Sequence, residues 1–206
     1  SETVRLRAVL AGLAAEPAVR EKNVPACTAL FRDVLVGNPN CVNFALMDAD
    51  GQALASALPF TSQNLAARPE FRQAKDTGRF SVGEYAVGKV SGVQVLPYAY
   101  PVYGAGGQLS GVLIVTVRLQ DIATVFDQSM MPAGSFVGLT DREGRRLYRH
   151  PPSPETPVGK PIARDVWDRI RAENGQTIFF AVASDGVRRI FAGQSVSLSD
   201  GEPPYL

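Results

Sequence analysis

A short pattern recurs at a fixed distance along the chain, and this repeat restricts the fold more than any other feature. An aspartate followed three residues later by glycine, between apolar residues, occurs at Asp48 and again at Asp141, 93 residues further on. Gly92 and Gly186 form a second matching pair, 94 residues apart. A nearly constant offset predicts two similar modules in tandem.

The first copy of the repeat reads as strands interrupted by one helix. Short β-type runs lie between glycine-rich turns, and Pro69 and Gly78 mark the start and stop of a helix over 68–78. The predicted strands cover 42–47, 53–57, 80–87, 93–102 and 109–118. We therefore expect an α+β protein.

Helical sequence precedes the first copy. Leu6, Leu10 and Leu13 recur at helical spacing, so residues 1–36 are predicted to be amphipathic helix. Pro17 begins a second helical segment, and Asn23 caps a third. The apolar stripe that these leucines form serves either for packing on the chain's own modules or for contact with a dimer partner.

The repeat also sets the expected domain boundaries. We expect a helical segment over 1–40, a first module over 41–118, a connecting helix over 119–131 and a second module over 132–206. The counterpart of the 112–117 strand would fall beyond Leu206. The second module is therefore expected to lack its closing strand, and the parent protein to continue.

Composition excludes several functions. Lysine plus arginine number 21 and aspartate plus glutamate 20, giving a net charge of +1, which argues against a nucleic-acid partner. The longest apolar run, 112–117, is too short to cross a bilayer. Two cysteines and one histidine are too few for a zinc site. A Cys27–Cys41 disulfide and two separate buried thiols both stay open.

No catalytic or metal-binding constellation is expected. His150 lies in a proline-rich loop without a nucleophile motif, and residues 104–107 read as a hairpin turn, not a phosphate loop. Asp48 opens a sequence like a calcium loop, but the later bidentate acid is missing, so turn chemistry explains it. We therefore predict no catalytic residues, no metal and no cofactor.

One arginine and several aromatic residues cluster in the first module. A guanidinium among aromatics suits a small carboxylate or other anion, although an aromatic core explains the same composition. The cluster comprises Arg68, Glu70, Phe71, Tyr85, Tyr98, Tyr100 and Tyr103.

The ordered series of motifs over 67–74, 77–92, 98–102 and 107–113 resembles the double Cache, tandem PAS-like, sensor domains of bacterial receptors. The resemblance implies a long N-terminal helical segment and two PAS-like modules, each a central antiparallel sheet with flanking helices. It implies a periplasmic ligand-sensing domain of an inner-membrane receptor, anchored by helices outside this sequence, with a membrane-distal first module that holds the ligand. The output is expected to be a histidine kinase, with a diguanylate cyclase or chemoreceptor as alternatives, and the fragment itself is not expected to be an enzyme.

The resemblance also assigns site residues. Arg68 and Tyr85 match the amino-acid-sensing subgroup, whereas Glu70 replaces a tryptophan and Phe71 a tyrosine. Val87 and Thr116 stand where two aspartates bind an amino group. We therefore predict a carboxylate or other anion on Arg68, with Thr116 donating a hydrogen bond. Tyr85, Tyr98 and Tyr100 are expected to line the pocket.

Three alternatives stay open. A cation held by Glu70 or Glu84 is the rival ligand. A protein-interaction or spacer module with a degenerate pocket is the rival function. The N-terminal helix is also a candidate for forming a homodimer.

Overall fold

A computed structural model describes residues 2–121, 132, 134–173, 177–183, 185–197 and 205. The chain divides into two compact units, residues 1–118 and 119–206. Of the connecting helix expected over 119–131, only residues 119–121 lie within the described part. Across the described residues, no helix combines the length and apolarity needed to cross a membrane.

Three helices open the first unit, as the sequence predicts. They are α1 (Glu2–Ala15), α2 (Pro17–Arg20) and α3 (Val24–Val36). Pro17 begins α2, and the side chain of Asn23 caps α3 by accepting from the Ala26 N–H at 3.2 Å. Such a cap satisfies one of the free N–H groups of the first turn.

The apolar stripe of α1 packs on its own unit. Leu6 and Leu10 are fully buried and Leu13 is 4% exposed, and α1 contacts the strands over 94–103 and 109–118. Of the two uses expected for this stripe, the structure shows packing within the unit.

The sheet of the first unit is antiparallel throughout. Its strands are β1 (Cys41–Asp48), β2 (Ala53–Ser56), β3 (Ser81–Val82), β4 (Ala86–Val87), β5 (Gln94–Tyr103) and β6 (Leu109–Arg118). The order is β2-β1-β6-β5-β3, and β4 also pairs with β5. The single strand predicted over 80–87 is thus wrong in detail, because two short strands pair with separate parts of β5.

One helix, α4 (Pro69–Thr77), packs on one face of the sheet. The buried leucines of α1 are not part of the core cluster on that face, which places α1 on the opposite face. It ends at Gly78, whose φ of 65° is the left-handed conformation that glycine tolerates. Side chains alternate along each strand, so Ala45 and Met47 face α4. Phe44 and Leu46 between them are buried on the other side.

Two hairpins and one helix make up the described part of the second unit. The β7 (Val137–Thr140) and β8 (Arg146–His150) strands pair, as do β9 (Thr177–Val182) and β10 (Arg188–Gly193). Helix α5 (Arg164–Ala172) lies between the hairpins in sequence. Beyond β10, Val196 and Tyr205 form an antiparallel bridge.

The repeated aspartate-glycine pattern forms the same turn twice. Asp48 Oδ1 accepts from the N–H groups two and four residues on, at 2.9 and 2.8 Å. Asp141 Oδ1 does the same at 2.9 and 2.8 Å. Gly51 and Gly144 have φ of 83° and 78°, so the predicted hairpin turns are confirmed.

Both cysteines are buried, and they are not joined in a disulfide. The Cys27 thiol donates to the Ala18 carbonyl at 3.2 Å, and burial raises its pKa. Of the two open alternatives, the structure therefore contains the separate thiols.

Candidate functional site

A cavity of about 100 Å³ lies between α4 and its face of the sheet. Strands β1 and β6 form its floor, with Ala45 and Met47 from β1 and Ile114 and Thr116 from β6. The start of α4 and the 86–91 segment form its walls. A volume of this size accommodates a compact ligand.

Two charged side chains at the start of α4 line this cavity. Arg68 is the N-cap residue and has extended backbone, and Glu70 follows Pro69 in the first turn. Arg68 Nε donates to Glu70 Oε1 at 3.2 Å, with the arginine side chain 34% exposed and the glutamate 2% exposed. The ion pair and the positive end of the helix dipole both offset the cost of burying the carboxylate.

Only one oxygen of Glu70 is satisfied. Oε2 is buried and has no hydrogen-bond partner among the residues that the structure describes. It lies against Gly83, where an added Cβ would be 2.5 Å from Oε2 and 2.7 Å from Pro97 Cγ. A buried, unsatisfied carboxylate oxygen is costly. Since Glu70 lines the cavity, a donor on a bound ligand would offset this cost.

The backbone of Glu70 is fixed by the sheet. Ser81 Oγ, at the start of β3, donates to the Glu70 carbonyl at 2.6 Å, and the contact is buried. Because β3 pairs with β5, this bond holds the first turn of α4 over the edge of the sheet.

The structure brings together four of the eight residues expected at the site. Arg68, Glu70, Val87 and Thr116 line the cavity, and Val87 is 53% exposed.

The other four residues are not among those lining it. Phe71 is 1% exposed in the core between α4 and the sheet. Tyr85 lies, half-buried, between β3 and β4.

Tyr98 and Tyr100 lie on the far face of the sheet because of the period of two in a strand. Pro97 pairs with Thr116 and lines the cavity, so the next residue, Tyr98, points the other way and pairs with Val115. Tyr98 stacks on Phe80, with ring centroids 5.8 Å apart. These aromatics therefore support the sheet from the side of α1.

Sequence reasoning missed Asn43 and Lys89, which also line the cavity. Asn43 is a polar residue within an apolar strand, a signal that was available in the sequence. Its amide exchanges hydrogen bonds with Ser56 Oγ at 2.9 and 3.1 Å and accepts from the Leu58 N–H at 3.1 Å. Asn43 therefore joins β1 to β2, whereas Lys89 adds positive charge to the exposed rim.

A larger cavity, of about 450 Å³, lies within the second unit between the two hairpins. Its arginines are engaged, whereas Thr156 Oγ1 is buried and has no hydrogen-bond partner among the described residues. Arg189 pairs with Asp185 at 2.6 Å, Arg146 donates to the Pro157 carbonyl at 3.2 Å, and Arg149 lies 4.6 Å from the Phe136 ring centroid. This cavity is the alternative location against which a ligand in the first unit must be tested.

Metal binding has no geometric support in the described residues, which contain no group of three or more histidine, cysteine, aspartate or glutamate side chains that could hold an ion. The cavity in the first unit instead offers one guanidinium, one half-satisfied carboxylate and an apolar floor. This arrangement suits reversible binding of a small polar molecule.

No family model matches the sequence, and no curated protein matches it either. Solved structures do resemble the chain. The extracellular domain of a candidate histidine kinase, rpHK1S-Z16, aligns over 99% of this chain and 83% of its own, with 21% identity and a TM-score of 0.71. The ligand-binding domain of the Pseudomonas aeruginosa chemoreceptor PctB, in complex with L-Arg, aligns over 98% and 83%, with 22% identity and a TM-score of 0.70.

The sensor domain of the V. cholerae histidine kinase DctB aligns over 82% of this chain and 67% of its own, with 21% identity and a TM-score of 0.60. Extracellular sensor domains of kinases and ligand-binding domains of chemoreceptors thus share this fold. The predicted mixed α and β fold is confirmed, and so is the resemblance to sensor domains at the level of fold.

Proposed function

We propose that this chain is the periplasmic ligand-sensing domain of a bacterial transmembrane receptor, and that it binds a small carboxylate in the cavity beside α4. The observation that carries this proposal is the partly exposed guanidinium of Arg68, which is held by Glu70 at the rim of a cavity with an apolar floor. The solved structures that share the fold are sensor and ligand-binding domains, which supports a binding function over a catalytic one.

Arg68 is arranged to bind an anion. Glu70 engages the Nε atom, which leaves the two terminal nitrogens of the guanidinium to meet a carboxylate in bidentate geometry. Lys89, on the exposed rim, adds a second positive charge. The three charged groups of the cavity therefore carry a net charge of about +1 when ionised.

Signalling would pass through the sheet. Ile114 and Thr116 face the cavity, while Val115 between them is fully buried on the face that α1 covers. A ligand that favours one closure of α4 on the sheet would change the packing of α1 on the other side. In the full receptor we expect this signal to reach a cytoplasmic output, with a histidine kinase favoured over a diguanylate cyclase or chemoreceptor.

A thermal-shift screen against carboxylates, amino acids, amines and nucleobases tests this function, because a ligand that binds only the folded state raises the melting temperature. We expect hits among the carboxylates and a loss of about 10- to 100-fold in affinity in Arg68→Ala. Arg72→Ala is the matched control, since Arg72 is an exposed arginine on the same helix and does not line the cavity.

Removing Arg68 leaves Glu70 buried without its partner, so the double variant Arg68→Ala/Glu70→Gln separates lost binding from lost stability. Carboxylate binding that survives in both variants would contradict the assignment to this cavity. Hits confined to amines, and lost in Glu70→Gln or Glu84→Gln, would support the rival cation site. No hit at all would favour a spacer or protein-interaction module.

A further inference from the structure

The cavity in the first unit contains a second anchor besides Arg68, and it is of opposite charge. Glu70 is 2% exposed, and its Oε1 accepts from Arg68 Nε. Its Oε2 is buried and has no hydrogen-bond partner among the described residues. The side chain thus has one oxygen that orients the arginine and one that is unused.

None of the residues that the structure describes donates a hydrogen bond to the unused oxygen. On one side it faces Gly83, which has no side chain, and an added Cβ there would lie 2.5 Å from Oε2. Pro97, whose nitrogen carries no proton, lies next to the same position, with its Cγ 2.7 Å from that Cβ. Because Glu70 lines the cavity, a molecule bound there is the candidate source of a donor for Oε2.

We propose that Glu70 is the specificity-determining residue of the site and selects small carboxylates that carry an N–H or O–H donor close to the acid group. This inference rests on the proposed function, because Arg68 is taken to hold the ligand carboxylate. Since Arg68 and Glu70 are in direct contact, a ligand bound to both presents its donor within a few bonds of its carboxylate. Hydroxy acids and amino acids have this arrangement, whereas simple fatty acids do not.

Size sets the scale of the ligand. A cavity of about 100 Å³ is smaller than most ligand pockets, so it suits a ligand of few non-hydrogen atoms. Lactate, alanine and isobutyrate differ only in one substituent, which is hydroxyl, ammonium or methyl on the same carbon skeleton. Comparing their affinities therefore isolates the contribution of the hydrogen-bond donor, because all three compounds have a similar shape and the same carboxylate group.

Isothermal titration of the intact chain with these three compounds tests the inference. We expect lactate or alanine to bind at least about tenfold more tightly than isobutyrate, because a site built for a hydrogen bond rejects an analogue without one. Glu70→Gln preserves the size of the side chain and should remove most of this discrimination. Tighter binding of alanine than of lactate would identify the donor as ammonium, and the reverse order would identify it as hydroxyl.

Asp76→Asn is the matched control, because Asp76 is an exposed carboxylate on the same helix and does not line the cavity. Equal affinity for all three compounds, or unchanged discrimination in Glu70→Gln, would overturn the inference while leaving a carboxylate site at Arg68 in place. Failure of all three to bind, while another carboxylate binds in an Arg68-dependent way, would also overturn it. Failure of every carboxylate would overturn the proposed function as well.

Discussion

Gly83 controls how closely the loop after β3 approaches Glu70. Its φ is not in the left-handed region, so alanine is compatible with its backbone conformation. Space is the constraint, because the added methyl would lie 2.5 Å from Glu70 Oε2 and 2.7 Å from Pro97 Cγ. Contacts this short require the buried carboxylate or the strand to move.

We predict that Gly83→Ala lowers the free energy of unfolding by about 1–3 kcal/mol, the usual cost of overpacking. It should also weaken ligand binding, since the methyl displaces the carboxylate that lines the cavity. Urea denaturation and titration with the best ligand measure the two effects.

Gly12→Ala is the control, because Gly12 lies within α1 and an added Cβ meets no atom within 4 Å. It should stabilise the protein by about 0.5–1 kcal/mol. A Gly83→Ala variant as stable as the wild type would show that Glu70 moves without cost.

At the scale of elements, one carboxylate side chain stabilises the β9–β10 hairpin. Asp185 accepts from the Val187 N–H at 3.1 Å and from Arg189 at 2.6 Å. The hydrogen bond from Arg189 is the largest cause that lowers the pKa of Asp185, and the bond from Val187 adds to it. In the folded state this carboxyl therefore holds its proton less tightly than in the unfolded chain.

The sign of the pH effect follows from this difference. Below a pH of about 4 the unfolded chain binds a proton at this position before the folded state does. The stabilisation from Asp185 is thus fully present above that pH and is lost as the pH falls through the lowered pKa. In Asp185→Asn, we predict that the difference in unfolding free energy from the wild type is constant above pH 5 and shrinks below about pH 4. A difference that stays constant down to pH 3 would contradict this account of the hairpin.

The boundaries of helices and long strands were predictable because their signals are local. Pro17, Asn23 and Gly78 each act on their own turn, and all three stand where the sequence predicts a start, a cap and a stop. The lining of the site was less predictable, because it depends on which face of β5 meets α4. Tyr98 and Pro97 are neighbours in sequence, yet only Pro97 lines the cavity.

Glu70 shows the same limit. Its position, two residues after Arg68, was visible in the sequence, but its burial and its unused oxygen depend on Gly83 and Pro97. Gly83 and Pro97 approach Glu70 from the sheet. Because they lie far from Glu70 in the sequence, no local sequence pattern reveals this contact.

At the scale of the whole molecule, α1 bears on the expected homodimer. Its Leu6, Leu10 and Leu13 are buried within the first unit, so the stripe that suggested a dimer contact is already used. Val4 is 66% exposed, and one such side chain is normal on a monomer.

We therefore expect α1 to make no dimer contact, so that Val4→Glu leaves the sedimentation coefficient of the chain unchanged. Sedimentation velocity of the wild type and of Val4→Glu provides the comparison. A wild-type dimer that dissociates in Val4→Glu would contradict this expectation and support dimerisation through α1.

The central claim is that the first unit carries the ligand in the cavity between α4 and the sheet. A crystal structure of the chain with the strongest carboxylate from the screen tests it most directly. We predict electron density for the ligand in that cavity, with its carboxylate on the terminal nitrogens of Arg68 and a donor on Glu70 Oε2. Density for the ligand between the two hairpins of the second unit, with the Arg68 cavity unchanged, would contradict it.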